Sequence, residues 1–128
     1  MRWRERLPRR ARVRSGREIR AVLRMGRRFR CGPVDAFLLP SPRNHPRVGV
    51  VVPRHGHTAV ERNRLKRRLR EIARRHWLPL ARREGSASDL VLRASPEAYG
   101  SSFDSLRQAL ISGLVRHPAA RDSQAADG

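Results

Sequence analysis

Cysteine is all but missing from this chain. Cys31 stands alone among 128 residues, so no disulfide forms within the chain and nothing argues for an oxidising compartment. Aromatic residues make up only 5%, which leaves few anchors for a membrane-surface helix. No apolar run approaches the ~20 residues of a membrane span. The basic N-terminus has no apolar segment behind it and does not read as a secretory signal. These absences predict a cytoplasmic protein with no membrane partner. Acid is scarce as well. Asp35, Glu61, Glu71, Glu84, Asp89, Glu97 and Asp104 are scattered and form no pair suited to two-metal chemistry. His55-x-His57 with Cys31 fits no standard metal-ligand spacing, and two loop histidines are the plainer reading. No catalytic residue, no metal site and no cofactor bound by the protein alone is predicted.

Basic charge is what the chain has in abundance. Thirty Lys+Arg against eleven Asp+Glu give +19, and the pI is near 12.0. Self-repulsion on this scale destabilises a compact state unless a polyanion offsets it, and nucleic acid is the commonest such partner. Lys66 is the single lysine. The guanidinium fork of arginine binds two phosphate oxygens at once. A coding bias toward arginine gives the same skew, so the position of each Arg carries more weight than its identity. The length allows one domain of ordinary size.

Residues 1–14 read as a basic N-terminal arm that Pro8 keeps from being one helix, touching the body through Trp3, Leu7 or Val13. Ser15 and Glu18 fit a capping box for a short helix carrying Ile19, Val22 and Leu23, with Gly26 as a left-handed stop. Val34–Leu39 reads as a strand, Phe29 falls in a preceding extended segment, and Ser41–Pro46 is turn chemistry. Val48–Val52 is the strongest strand signal, ended by Pro53. A second capping box, Thr58 to Glu61, opens the longest helix, roughly Ala59 to Ala81. Its apolar seam is Leu65, Leu69, Ile72, Ala73 and His76 or Leu80, and Pro79 disturbs its last turn. Asp89–Ala94 is a last strand, and Phe103, Leu106, Leu110 and Leu114 mark a last helix ending at Pro118. Residues 119–128 read as a disordered tail, leaving 15–118 as a single domain. The expected architecture is an α/β (α+β) sandwich of one sheet against helices.

The long helix carries the main functional signal, Arg62-Asn63-Arg64-Leu65-Lys66-Arg67-Arg68-Leu69-Arg70. With Leu65, Leu69 and Ile72 inward, Arg64, Arg67, Arg70 and Arg74 project from the far side, and Lys66 and Arg68 lie on the flanks. Arg62 sits in the first turn near the apolar edge. Like charges at these spacings repel, and only Glu61 and Glu71 relieve them. Such a rod suits a phosphate surface, with the helix N-terminus adding partial positive charge at the same end.

Three segments sharpen this. Arg47-Val48-Gly49-Val50-Val51-Val52, then Ala59-Val60-Glu61-Arg62-Asn63-Arg64-Leu65-Lys66-Arg67, then Leu69-Arg70-Glu71, closely resemble the signature of the bacterial ribonuclease P protein family. Leu7 to Phe29 resembles that family's first helix and the Gly-Arg-Arg-Phe after it. Asp89–Ala94 resembles its D-x-V strand, and Phe103–Val115 its last helix. The resemblance implies a mixed sheet of about four strands with three helices and a left-handed βαβ crossover, like the second domain of the fifth small-subunit ribosomal protein. It implies that the protein binds the catalytic RNase P RNA and the 5′ leader of precursor tRNA, assisting leader removal within a ribonucleoprotein. The RNA and its bound Mg²⁺ carry the chemistry there. Carried over by position, the RNA-binding set is Arg62, Asn63, Arg64, Lys66, Arg67, Arg68 and Arg70, with Arg54 in the loop before.

The departures from the family pattern fall elsewhere. Where the family places two Phe residues on the leader-cleft side of the first helix, this chain has Ile19 and Leu23, which pack a base without stacking as rings do. Phe37 supplies a ring for the cleft or belongs to the core. The family's Ser-Lys-Lys reads Pro53-Arg54-His55, and its next Gly aligns with His57, predicting a loop of its own geometry. A ribosomal or assembly protein is the main rival, and the Arg-Asn-Arg block in its strand-turn-helix setting argues against it. No helix-turn-helix spacing supports a DNA partner.

Overall fold

A computed structural model describes residues 7–116 of the chain. Its elements are α1 (Gly16–Met25), β1 (Arg27–Cys31), β2 (Val34–Pro40), β3 (Arg47–Val51), α2 (Ala59–Ile72), α3 (Leu78–Arg83), β4 (Ser88–Ala94) and α4 (Phe103–Arg116). A π-helical turn, Ala73–Trp77, joins α2 to α3 in one rod, so three helical units flank one sheet. The strand order is β1-β2-β4-β3, with β3 and β4 parallel and the other pairs antiparallel. The long rod forms the crossover between the parallel strands. The expected α+β architecture with a mixed four-stranded sheet is the one found. No helix among the described residues is long and apolar enough to cross a membrane.

Alternation along the strands makes both sheet faces apolar. Val34, Ala36, Leu38, Val48, Val50, Leu90 and Leu92 meet Leu65, Leu69, Ile72, Trp77, Leu106, Leu110 and Leu114 in the main core. The opposite face is smaller. Phe37 and Val91 pack under Val22 of α1, ringed by half-buried Ile19, Leu23, Leu39 and Val51.

Local chemistry departs from the expected pattern in three places. Gly26 ends α1 with φ −73° and ψ 157°, an extended conformation rather than a left-handed one. Close approach is what requires glycine there: a Cβ would lie 2.5 Å from the Val22 carbonyl oxygen and 3.0 Å from that of Leu38. Ser15 caps α1 through the backbone N–H groups of Arg17 and Glu18, yet the Glu18 carboxylate does not close a box. It turns to Arg47 instead. Thr58 and Glu61 do form both halves of theirs.

Helix does not break near Pro79. The Leu78 N–H donates to the carbonyl of Ala73, five residues back, so the turn before Pro79 is π-helical and the helix continues through the proline. One extra residue in the turn rotates the downstream side chains by about 100°. Trp77, Leu78 and Ala81 therefore point inward, and His76 and Leu80 stay half-buried.

The described part of the N-terminal arm is docked. Leu7, Ala11 and Val13 are buried, and Arg12 bridges Val48 in parallel along the β3 edge. The Val13 N–H donates to the Val48 carbonyl. Gly49 accepts this closeness because a Cβ there would sit 3.2 Å from that of Val13. Trp3 and the tail at 119–128 lie outside the described residues.

Candidate nucleic-acid interface

The outer surface of α2 divides its basic residues into engaged and unengaged groups. Asn63, Arg64 and Arg67 are exposed, while Arg62, Lys66, Arg68 and Arg70 are half-buried. Arg62 folds back, its Nη1 donating to the His57 carbonyl at 2.8 Å, and so ties the preceding loop to the helix. Arg70 is half-buried, with Arg12 of the N-terminal segment near enough to repel it. Burial and the neighbouring Arg12 push its pKa below the usual arginine value. Arg74, expected among the outward cations, is held by Glu71 at 2.8 and 3.1 Å, and Arg75 meets the same carboxylate at 2.9 Å. The hydrogen bond from Arg74 holds the Glu71 carboxyl below the usual carboxylate range. Arg54 is exposed in the β3–α2 loop.

On the opposite face of the sheet, a buried ion cluster fixes α1. Arg47 and Asp89 are register partners on the parallel strands. Arg47 donates to Asp89 through Nε at 2.9 Å and Nη2 at 2.7 Å, and to both Glu18 oxygens at 3.3 Å. The hydrogen bond to Asp89 does most to raise the Arg47 pKa, outweighing the penalty of burial. Both residues stand in the segments that carry the family resemblance, but alternation places them on a sheet face without saying that they meet. Only register and helix docking bring Glu18 to them.

Ile19, Leu23 and Phe37 are brought together around this face. Phe37 is only 3% exposed, and the Arg93 guanidinium lies 4.9 Å from its ring centroid, with that of Arg28 at 5.9 Å. Asp35 draws Arg28 and Arg93 into place at 2.9 and 3.4 Å. A base reaching that ring has to displace a guanidinium.

Sequence reasoning missed a second cationic concavity. A cavity of about 480 Å³ is lined by Arg9, Arg10, Arg12, Arg14, Arg43 and His45, among others. His45 Nε2 hydrogen-bonds the Arg10 carbonyl at 2.7 Å, which joins the β2–β3 loop to the N-terminal segment. The density of arginine in residues 9–14 was the available signal, but its convergence with Arg43 depends on the tertiary fold. Among the described residues no group of three or more His, Cys, Asp or Glu side chains is arranged to hold a metal ion. Cys31 is buried, its thiol pushed up to about 11 mainly by burial.

Comparison with known proteins identifies relatives in sequence and in fold. The family model described as Ribonuclease P matches residues 7–117. The ribonuclease P protein component of Acidothermus cellulolyticus is 38% identical over 122 residues, spanning 92% of this chain and 97% of that protein. The corresponding protein of Thermus aquaticus is 44% identical over 92 residues, 72% of this chain. The aligned stretch is about half the length of that relative, 51%. Among solved structures, the RNase P protein of Staphylococcus aureus superposes with a TM-score of 0.70 at 19% identity, covering 87% of this chain and 98% of that one. That of Thermotoga maritima gives 0.66 at 25% identity, covering 82% and 96%. A family match along nearly the whole chain, on the fold its solved members share, means that the chain belongs to the ribonuclease P protein family.

Proposed function

We propose that this chain is the protein subunit of a ribonuclease P holoenzyme, binding the catalytic RNA through α2 and the 5′ leader of precursor tRNA beside α1. The observation that carries this reading is the outer surface of α2. Asn63, Arg64 and Arg67 are exposed on a rigid, capped helix, while the few acids nearby are occupied elsewhere. Cations left unanswered on a +19 chain favour a polyanion at that surface.

In this role the protein holds and screens RNA and supplies no catalytic side chain. A Mg²⁺ site needs carboxylate oxygens free to coordinate. Here Asp35, Glu71, Asp89 and Asp104 each pair with arginine, and among the described residues no three acidic, His or Cys side chains gather around one point, so these donors do not suit the ion. Mg²⁺ belongs with the RNA, and no step is routed through a metal on the protein. Leader binding falls to the half-buried apolar rim of Ile19 and Leu23, with Arg28 and Arg93 nearby for phosphate.

Reconstitution tests the proposal. Adding the full chain to a bacterial RNase P RNA should permit cleavage of precursor tRNA at a Mg²⁺ concentration where the RNA alone is inactive. Protein without RNA should cleave nothing. No rescue at low Mg²⁺ would sink the reading.

A further inference from the structure

Where the β3–α2 loop meets the turn after β4, two rings lie one upon the other. His57 and Tyr99 are stacked with centroids 3.6 Å apart and planes 12° apart. The Tyr99 hydroxyl donates to the Pro53 carbonyl at 2.6 Å, which pins the short turn Pro96–Gly100 to the loop. His57 Nδ1 faces the Glu61 carboxylate at 3.4 Å, and Arg62 holds its carbonyl. Both rings are thus fixed before any ligand arrives, which lowers the ordering cost of binding. Neither is sealed off, since each is half-buried. They border a cavity of about 180 Å³ that Arg64, Leu65 and Arg68 also line. That is the space of about six liquid waters.

We propose that this cavity takes one unpaired nucleobase of the bound RNA, stacked on the His57–Tyr99 pair, with the flanking phosphate held by Arg64 and Arg68. The proposal rests on the reading of α2 as the RNA face and deepens it. A phosphate alone has no use for two rings, and a purely apolar ligand has none for two guanidinium groups. A nucleotide uses both. Glu61 also lines this cavity, and a carboxylate there can accept from an exocyclic amino group. That favours the amino-bearing bases adenine, cytosine and guanine over uracil. By the resemblance, His57 falls where the family pattern has Gly.

The test compares a base-bearing oligomer with an abasic one. The full chain is titrated with an adenylate RNA pentamer and with an abasic ribose-phosphate pentamer of equal charge. The adenylate should bind about tenfold tighter, the value of one modest stacking contact. His57→Ala and Tyr99→Leu should abolish that preference while leaving the abasic affinity unchanged. Tyr99→Phe, which keeps the ring, should retain it. In the unaltered chain the His57 ring-proton NMR signals should move with adenylate and not with the abasic oligomer, a readout that needs no variant to fold. Equal binding of the two oligomers, or variants that weaken both alike, would reduce the pair to a loop latch and overturn the proposal. If RNase P RNA still binds in that case, only the stacking site falls. If no RNA binds at all, the reading of α2 falls with it.

Discussion

At the scale of the residue, the arginines divide by whether the chain itself answers their charge. Arg47 is the extreme case, with a side chain 5% exposed between Asp89 and Glu18. Asp89→Asn keeps the shape but leaves a buried guanidinium with one partly exposed partner. The expected loss is about 3 kcal/mol, the low end for breaking a buried pair, read from urea denaturation. Glu18→Gln should cost about 1 kcal/mol or less, because the side chain is 28% exposed and water screens the pair. Equal losses would mean that the buried Arg47–Asp89 pair between β3 and β4 contributes no more than the half-exposed Glu18 contact to α1. Arg64 and Arg67 are the opposite case. Replacing both with Ala should leave stability within about 0.5 kcal/mol. RNA binding should weaken, with the logarithmic salt slope shallower by about one unit per lost phosphate contact. An unchanged slope would place the RNA elsewhere.

At the scale of the element, the rod from α2 through the π turn to α3 couples backbone register to core packing. Trp77 is fully buried because that turn carries it inward, and its Nε1–H has no hydrogen-bond partner among the described residues. Trp77→Ala should cost about 3–5 kcal/mol. Trp77→Phe should cost clearly less, because removing an unpartnered N–H recovers part of a desolvation penalty of about 1–3 kcal/mol. Urea midpoints of the two variants decide this, and equal losses would mean the indole N–H carries no penalty. The same turn leaves His76 half-buried, its pKa lowered by burial and then by Arg107 and Arg75. The unfolded chain therefore takes up this proton first. Stability should fall as pH drops below about 6.5, and His76→Gln should shrink the loss of melting temperature between pH 7.5 and 5.5. Glu71 adds a second decline beginning near pH 4.5, where its ordinary value lies, because Arg74 holds its native pKa lower.

At the scale of the whole molecule, a net charge of +19 sits on one modest core with α1 packed on the far side of the sheet. Two cationic regions, α2 and the concavity of Arg9, Arg10, Arg12, Arg14, Arg43 and His45, concentrate the repulsion. Anions that bind the folded state and neutralise these regions should stabilise it by mass action. Melting in sodium sulfate should therefore exceed melting in sodium chloride at equal ionic strength. A common neutral osmolyte tested alongside separates this from general surface exclusion. Equal melting in the two salts would indicate that the native charge layout is tolerated without a polyanion.

Composition and periodicity by themselves determined three of the four strands, the main apolar seam of α2, the Thr58 cap and the Arg-Asn-Arg block, because each follows from near neighbours along the chain, while β1 read only as an extended segment. The resemblance in those same segments pointed to the family. Tertiary structure decided what depends on elements meeting. It set the bond of Glu18 to Arg47 in place of a capping box, the glycine at Gly26 by close approach, and the joining of Arg14 to Arg43 in one concavity. It also decided which arginines remain unanswered, since Glu71 takes Arg74 while Arg64 and Arg67 stay exposed. A charge is named by its residue, but its availability depends on every group that the fold brings within hydrogen-bonding distance.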